Sequence, residues 1–163
     1  MVLLTLVTGA PLMQQVRGMP AWNGGVKIID VDIYVRSVFL KDGGDVQTII
    51  GHGGQYSEVW RGVGVSIKIS TRDYFGDNIL QFEYSANDPV IYWDVSYINL
   101  SSKSRFLEEG FAATPTSLGC APVVCRPGDY HCSNVYFEPD DNYAIRGCQI
   151  NTWVIMEIGI RSG

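Results

Sequence analysis

Period-two alternation of apolar and polar residues between glycine-rich turns is the feature that most limits the folds open to this chain. Residues 26–39 read VKIIDVDIYVRSVF, with apolar side chains at 29, 31, 33 and 35 alternating with Asp30, Asp32, Tyr34 and Arg36. Residues 62–70, GVGVSIKIS, alternate in the same way. Successive strand side chains point to opposite faces, so both segments predict half-buried strands, the first with a charged outer face. These strands predict an all-β fold, either an antiparallel β-sandwich or a flattened barrel.

Residues 81–100, QFEYSANDPVIYWDVSYINL, predict a hairpin whose turn occupies 86–89. If Ser85 faces Val90, Phe82 and Trp93 lie on an apolar face that can be buried. The opposite face carries four polar side chains: Gln81 opposite Asp94, and Glu83 opposite Tyr92. This register places the two carboxylates on a diagonal, and the face is either a solvated sheet surface or a binding or catalytic cleft.

The remaining segments are predicted from local signals. The Gly-rich segments 41–45 and 51–54 flank a short strand near 46–50, residues 101–110 have modest helical character, and 113–133 read as a loop rich in Pro, Gly and Cys. Residues 152–160 close the chain as a strand. We expect one domain over 25–163, preceded by residues 1–24 as an N-terminal arm or a degraded signal segment.

Composition excludes several partners. Among 163 residues, 17 acidic side chains exceed 12 basic ones, for a net charge of −5. This balance disfavours a nucleic-acid backbone or an anionic membrane as partner, and the apolar start is too short to span a bilayer. The charge balance does not exclude a neutral ligand. We expect the protein to be a monomer without a cofactor.

The four cysteines lie at 120, 125, 132 and 148. Disulfides are the first interpretation, and the sequence alone leaves three connectivities open. Zinc is the competing interpretation, but no CxxC pair is present and the histidines are only His52 and His131. No loop supplies the six to eight oxygens that Ca²⁺ prefers, so we expect no metal site.

Several motifs occur in the same order as in a known family. IYWDVSYIN, SLGCAPVVC, CSNVYFEPDDNYAIRGC and the final NTWVIMEIGI resemble segments of thaumatin-like proteins. GGQYSEVWR, GVSIKIS and QFEY followed by YWDVS resemble the short fungal branch, the Blastomyces yeast-phase-specific protein family. The resemblance covers roughly residues 25–160 and implies a secreted thaumatin-like β-sandwich.

The resemblance also implies the disulfide pairing, Cys120 with Cys148 and Cys125 with Cys132. Long family members carry a cysteine-rich lobe in the interval between the second pair, so this chain resembles the sandwich core without that second lobe. The usual bridge from the first strand to the last has no cysteine at either end here.

Many thaumatin-like proteins have an acidic cleft of one arginine and four carboxylates, linked to β-1,3-glucan binding and in some members to weak glucanase activity. The resemblance places Asp94 at the first aspartate, Asn99 at the second, and Gln81 at the glutamate, with Glu83 two residues later. The last aspartate falls on Asp140 or Asp141, and Arg72 is the nearest arginine. The aromatic candidates for stacking on a sugar ring, each of which can equally serve in packing, are Tyr92, Tyr97, Tyr136 and Trp60.

We therefore expect a secreted or cell-wall protein without clear catalytic activity that binds β-1,3-glucan-type polysaccharide or an extracellular partner protein. The alternative is a weak endo-β-1,3-glucanase using Glu83 and Asp94, with Asp140 as a third acid. A further alternative is an effector or inhibitor whose loop at 120–132 enters a partner's cleft. The sequon at Asn99 is a predicted glycosylation site.

Overall fold

Two β-sheets packed face to face form the protein. The computed structural model describes residues 23–30, 37–40, 47–48, 53–72 and 77–160; residues 1–22, and with them most of the predicted arm, lie outside the described residues. One sheet has the strand order β4-β1-β11-β8-β9 and the other β10-β7-β6-β5-β2-β3. The strands are β1 Gly25–Asp30, β2 Ser37–Leu40, β3 Gln47–Thr48, β4 Gln55–Val59, β5 Val65–Ser70, β6 Leu80–Asn87, β7 Val90–Ser96, β8 Phe111–Pro115, β9 Val123–Cys125, β10 Arg146–Gln149 and β11 Trp153–Ile158. The all-β sandwich expected from the alternation is confirmed.

The core lies between the sheets and is built from buried side chains of both, among them those on one face of β1, β5, β6, β7, β8 and β11. In the hairpin β6–β7, Phe82 and Trp93 are fully buried and their rings stack with centroids 5.6 Å apart. The Trp93 indole N–H points to the Cys148 sulfur at 3.1 Å. Burying side chains of this size supplies about 1.5–3 kcal/mol each, and the apolar face of the hairpin therefore anchors the six-stranded sheet.

The hairpin register differs from the predicted one by two residues. Asn87 pairs with Val90, so only Asp88 and Pro89 form the loop, and Glu83 lies opposite Asp94 rather than opposite Tyr92. A shift of two keeps every side chain on its predicted face, because the period of a strand is two. It nevertheless turns the predicted diagonal of carboxylates into a directly opposed pair.

The predicted orientation of the first strand is wrong at Asp30. Val26, Ile28 and Asp30 are all fully buried, whereas Ile29 is half-buried. The strand is held in this orientation by its neighbours, the parallel β11 on one side and the antiparallel β4 on the other. Because Ile28 and Ile29 are adjacent, an isoleucine can face the core in either orientation of the strand. The alternation alone therefore predicted the wrong face for Asp30. Asp32 and Arg36 of the predicted charged face lie outside the described residues.

The sheets contain more pairing than the sequence predicted. Strand β9 lies inside the stretch 113–133 that was assigned to a loop, β8 extends into it, and the two strands pair with each other next to β11. The edge strand β10 pairs with β7. The β1–β11 pair is parallel, so the first sheet is mixed rather than purely antiparallel. Val63, assigned to the buried face of β5, precedes that strand and is 63% exposed.

The predicted helical segment forms one short helix, α1 (Arg105–Glu109). The Ser104 hydroxyl accepts a hydrogen bond from the Phe106 N–H and caps its start, as serine commonly does. Gly110 ends the helix with a φ of +67°. Within the described part of the chain, no helix has the length and apolar character that a membrane crossing requires.

Both disulfides implied by the resemblance are present. Cys120 is joined to Cys148 and ties the loop after β8 to β10. Cys125 is joined to Cys132 across a separation of only seven residues. A short loop therefore occupies the interval in which longer relatives are expected to carry a lobe.

Candidate functional site

The outer face of the hairpin carries a row of three cross-strand polar pairs, which we call the polar ladder. Its members are Ser85 with Tyr92, Glu83 with Asp94, and Gln81 with Ser96. They lie on one surface because the alternation that buries Phe82 and Trp93 sends their neighbours the other way. The ladder brings together four of the predicted ligand-binding residues.

Glu83 and Asp94 form the centre of the polar ladder. Residues directly opposed on antiparallel strands have Cβ atoms about 4.5–5.5 Å apart, and like charges at that separation repel. Burial, followed by the charge of Glu83, raises the pKa of Asp94 from 3.8 to about 7. One oxygen of Asp94, Oδ1, is buried and has no hydrogen-bond partner among the described residues. Asp94 is therefore a carboxyl group that holds its proton near neutral pH.

The arginine near Asp94 is Arg146, not the predicted Arg72. Arg146 begins β10 opposite Trp93, and its guanidinium carbon lies 5.5 Å from the centre of the Trp93 ring. Its terminal nitrogens donate to the carbonyl and side-chain oxygens of Asn134 at 3.2 and 3.1 Å, and also to the Ala144 carbonyl. Burial lowers the pKa of Arg146, while Asp94 counteracts that effect. The guanidinium is thus fixed by Asn134 and Ala144 and acts on Asp94 through its charge.

Tyr136 approaches Asp94 from the other direction along the same edge of β7. Its backbone N–H donates to the Val95 carbonyl at 3.0 Å, and its carbonyl accepts from the Tyr97 N–H at 2.7 Å. The side chain is only 7% exposed, and its hydroxyl has no hydrogen-bond partner within the described part of the chain. Burial, followed by the charge of Asp94, raises the pKa of Tyr136.

Gln81 and Asn99 form the polar end of the ladder. The Gln81 amide nitrogen donates to the Asn99 side-chain oxygen at 2.9 Å. The Gln81 carbonyl oxygen accepts from the Lys68 ammonium, and Ser66 lies at 3.4 Å. These two amides stand where the family resemblance places carboxylates, and they bind a lysine and each other. The result is a hydrogen-bonded network that includes the Lys68 cation instead of additional negative charge.

Tyr92 separates two concave regions of the surface. It is 45% exposed and lies opposite Gly147, where an added Cβ would come within 3.3 Å of the tyrosine ring. One region is a pocket of about 250 Å³ lined by Glu83 and Asp94. The other is a groove of about 680 Å³ that runs past the hairpin turn and the Cys120–Cys148 bridge. An exposed aromatic ring between two depressions suits a ligand longer than one sugar ring.

The other predicted site residues are not brought to Asp94 by any contact that the structure describes. Arg72 is exposed and pairs with Asp77 at 3.5 Å. Asp140 is exposed. The Asp141 carboxylate accepts from the Phe137 and Glu138 N–H groups, which lower its pKa. Asp141 thus stabilises a turn and reaches the site only through its effect on Tyr136.

Two further aromatic candidates have structural roles. Trp60 is 2% exposed and its indole N–H donates to the Thr152 carbonyl at 3.1 Å. Tyr97 is 5% exposed and contacts Phe111 and Phe137 through edge-to-face ring pairs. Neither presents an open face to a sugar.

Arg146 is the residue of this site that sequence reasoning did not assign to it, whereas Tyr136 was among the aromatic candidates. Arg146 lies two residues before Cys148, and the Cys120–Cys148 bridge holds β10 beside β7. That position was the available signal, because the bridge at Cys148 fixes the short strand that Arg146 begins. Chemically, the arrangement offers hydrogen-bond acceptors and donors beside an exposed ring. No cluster of three or more metal-ligating side chains occurs within the described ranges.

Comparison with known proteins agrees with this architecture. The profile of the Blastomyces yeast-phase-specific protein family matches residues 30–158. The chain is 33% identical to the secreted thaumatin-like protein calA of Emericella nidulans over 144 residues, which are 84% of this chain and 82% of the relative. It is 33% identical to an antigenic thaumatin-like protein of Arthroderma benhamiae over 74% of this chain, and that match spans 62% of the relative's length.

Two solved structures share the fold. The protein elicitor MoHrip2 of Magnaporthe oryzae superimposes with a TM-score of 0.68 at 20% identity, covering 83% of this chain and 98% of that one. The thaumatin-like xylanase inhibitor TLXI superimposes with a TM-score of 0.53 at 11% identity, covering 82% and 97%. The two disulfides suit the oxidising extracellular environment, and the chain, like calA, is a secreted protein. With its profile match, its ordered motifs and its two-sheet sandwich, the chain belongs to the Blastomyces yeast-phase-specific protein family of thaumatin-like proteins.

Proposed function

We propose that this secreted protein binds a neutral cell-wall polysaccharide of the β-1,3-glucan type along the polar ladder. The observation that carries the proposal is the position of Tyr92, an exposed ring between the acid-lined pocket and the long groove. A pyranose ring stacks on such a face, while carboxylate and amide groups on both sides bind its hydroxyls. Neutral sugar is favoured over an acidic polymer because the protein has a net charge of −5 and Glu83 lines the pocket.

The test is sedimentation of the protein with insoluble β-1,3-glucan, with chitin and cellulose as competing polysaccharides. Retention on the glucan and its loss in Tyr92→Ala are the expected results. Tyr130→Ala is the matched control, since Tyr130 is 44% exposed and lies outside both concave regions. Equal retention of the Tyr92 and Tyr130 variants would remove the ladder from the binding surface, and no retention of the unaltered protein would discard the proposal.

A weak endo-β-1,3-glucanase is the second candidate. The observation favouring it is the opposed pair Glu83 and Asp94, in which the pKa of Asp94 is raised to about 7. Glycosidases that retain configuration hold an acid and a nucleophile about 5–5.5 Å apart, a separation within reach of such a pair. The burial of Asp94 Oδ1 argues against it, since a general acid must touch the substrate. Release of reducing sugar from laminarin that disappears in both Asp94→Asn and Glu83→Gln would establish hydrolysis; no release by the unaltered protein would refute it.

A protein partner is the third candidate, favoured by Leu118. This side chain is fully exposed in the loop that borders the long groove, and Val124 in the predicted inhibitor loop is 43% exposed. One structure that shares the fold is named as a xylanase inhibitor. Inhibition of an endo-xylanase that is relieved by Leu118→Ser would support this function, and no inhibition at micromolar protein would remove that enzyme as the partner.

A further inference from the structure

Residues 99–101, Asn-Leu-Ser, lie on an exposed turn just after β7. They form the chain's one Asn-x-Ser/Thr triplet, which is the acceptor signal for N-glycosylation in the secretory pathway. The Leu100 N–H donates to the Tyr97 carbonyl at 2.8 Å and closes a β-turn that has Asn99 at its third position. The side chains of Asn99 and Ser101 are both exposed. The triplet is therefore presented on the surface of the folded protein by an ordered turn.

A chain of hydrogen bonds fixes the direction in which the Asn99 amide faces. The Lys68 ammonium can only donate, so it binds the side-chain carbonyl oxygen of Gln81. The amide nitrogen of Gln81 therefore faces Asn99 and donates to its Oδ1 at 2.9 Å. Because Oδ1 and Nδ2 lie on opposite sides of the amide carbon, Nδ2 of Asn99 points away from Gln81. It makes no hydrogen bond within the part of the chain that the structure describes.

The contacts of Asn99 within the fold use only the oxygen of its side chain. An aspartate would accept the same hydrogen bond from Gln81, and the family resemblance places an aspartate at this position. Asparagine differs from aspartate by its amide nitrogen, which is the atom that N-glycosylation joins to sugar. The exposed Nδ2 and the serine two residues later are thus the two features of this turn that its packing does not require.

We infer that Asn99 carries an N-linked oligosaccharide that projects from the Gln81 end of the polar ladder. The donor is an oligosaccharide joined to a polyprenyl lipid through a diphosphate, which the secretory pathway supplies. The bond between C1 of the first sugar and the diphosphate oxygen breaks, and a bond from C1 to Asn99 Nδ2 forms. The nitrogen gives up one proton, and the lipid diphosphate leaves with the electron pair. The inference depends on secretion of the protein and is independent of the proposed function.

An oligosaccharide at Asn99 leaves the Tyr92 end of the polar ladder open. Asn99 contacts Gln81, which pairs with Ser96 at the end of β7. Tyr92 lies four residues before Ser96 on this strand, which corresponds to about 13 Å of extended chain. The linings of the pocket and the groove beside Tyr92 do not include Asn99. The oligosaccharide therefore covers one end of the ladder only.

The test is the intact mass of the protein secreted from a yeast host. The unaltered protein should carry one oligosaccharide that peptide N-glycosidase removes, leaving an aspartate at position 99. Asn99→Asp keeps the acceptor for Gln81 but lacks the amide nitrogen, and Ser101→Ala keeps the amide but lacks the hydroxyl of the triplet. Both variants should have the mass of the bare chain. Asn142→Gln is the matched control and should keep the oligosaccharide, since Asn142 is exposed but has alanine two positions later.

Secretion of the unaltered protein at the mass of the bare chain would overturn the inference. An added mass that persists in Ser101→Ala, or that peptide N-glycosidase does not remove from the denatured protein, would also overturn it, because the sugar would then be attached elsewhere. Thermal unfolding tests the direction of the amide: the glycosylated protein should melt no lower than Ser101→Ala. A lower melting temperature would refute the outward direction of Nδ2, since the sugar would then displace Gln81. None of these results depends on glucan sedimentation, so failure of the proposed function leaves them unchanged.

Discussion

Replacing Asp94 by asparagine should change how the stability of this protein depends on pH. In the folded protein, burial and the opposed Glu83 raise the pKa of Asp94 from 3.8 to about 7. In the unfolded chain the same group loses its proton near pH 4. Between these two values the folded state binds more protons than the unfolded state, so stability falls as pH rises.

The magnitude follows from the two pKa values. One pKa unit corresponds to about 1.36 kcal/mol, so the titration of Asp94 should lower the free energy of unfolding by about 4 kcal/mol between pH 4 and pH 8. Asp94→Asn has a similar shape and no charge to bury, and should therefore be less stable than, or equal to, the unaltered protein at pH 4 and clearly more stable at pH 8. Because other carboxylates titrate in the same range, the quantity to compare is the difference between the two proteins.

Urea unfolding followed by tryptophan fluorescence at several pH values measures that difference. Asp140→Asn is the control, since Asp140 is exposed and its substitution should leave the pH profile unchanged. Glu83→Gln should reduce the fall without abolishing it, because burial is the larger cause of the pKa shift. A constant difference between the unaltered protein and Asp94→Asn across this range would refute the reasoning.

Three further predictions concern stability. Replacing both cysteines of the Cys120–Cys148 bridge by serine should lower the free energy of unfolding by about 3.6 kcal/mol, and the same change at Cys125–Cys132 should lower it by about 2.5 kcal/mol. The losses differ because the bridges span 28 and seven residues and so close loops of different length. Equal losses in urea unfolding would contradict this chain-entropy account. Gly110→Ala should lower the melting temperature far more than Gly119→Ala. Both glycines have a positive φ, +67° and +85°, but a Cβ at Gly110 would lie 2.6 Å from a backbone oxygen, whereas a Cβ at Gly119 would meet no atom within 4 Å. Glu58 accepts hydrogen bonds from two tyrosine hydroxyls and an arginine, so Glu58→Ala should cost about 3 kcal/mol by the same assay, and a loss below 1 would show that these donors find other acceptors.

Much of the fold could be predicted from the sequence because side-chain alternation is a local property. It assigned Phe82 and Trp93 to the core and Glu83 and Asp94 to the opposite face, and the structure agrees. The resemblance to thaumatin-like proteins added the disulfide pairing, which spacing left open. Local pattern failed at Asp30, where two orientations were equally compatible with neighbouring isoleucines and the flanking strands β4 and β11 decided between them.

The chemistry of the site depended on the tertiary structure. The sequence supplied Glu83 and Asp94 and the amides at Gln81 and Asn99, but a hairpin loop of two residues placed the acids directly opposite each other. The pairing of β10 with β7 brought Arg146 to Asp94, from a position 52 residues further along the chain.

The alternation of the chain thus determined which side chains of a strand share a face, since that choice depends on period alone. Which face is buried was decided by the neighbouring strands, as at Asp30. Which polar groups meet was decided only by strand register and by the packing of distant segments, because cross-strand neighbours are set by long-range pairing. The burial that raises the pKa of Asp94 and leaves the Tyr136 hydroxyl unpaired has the same origin, since desolvation is a property of the assembled fold.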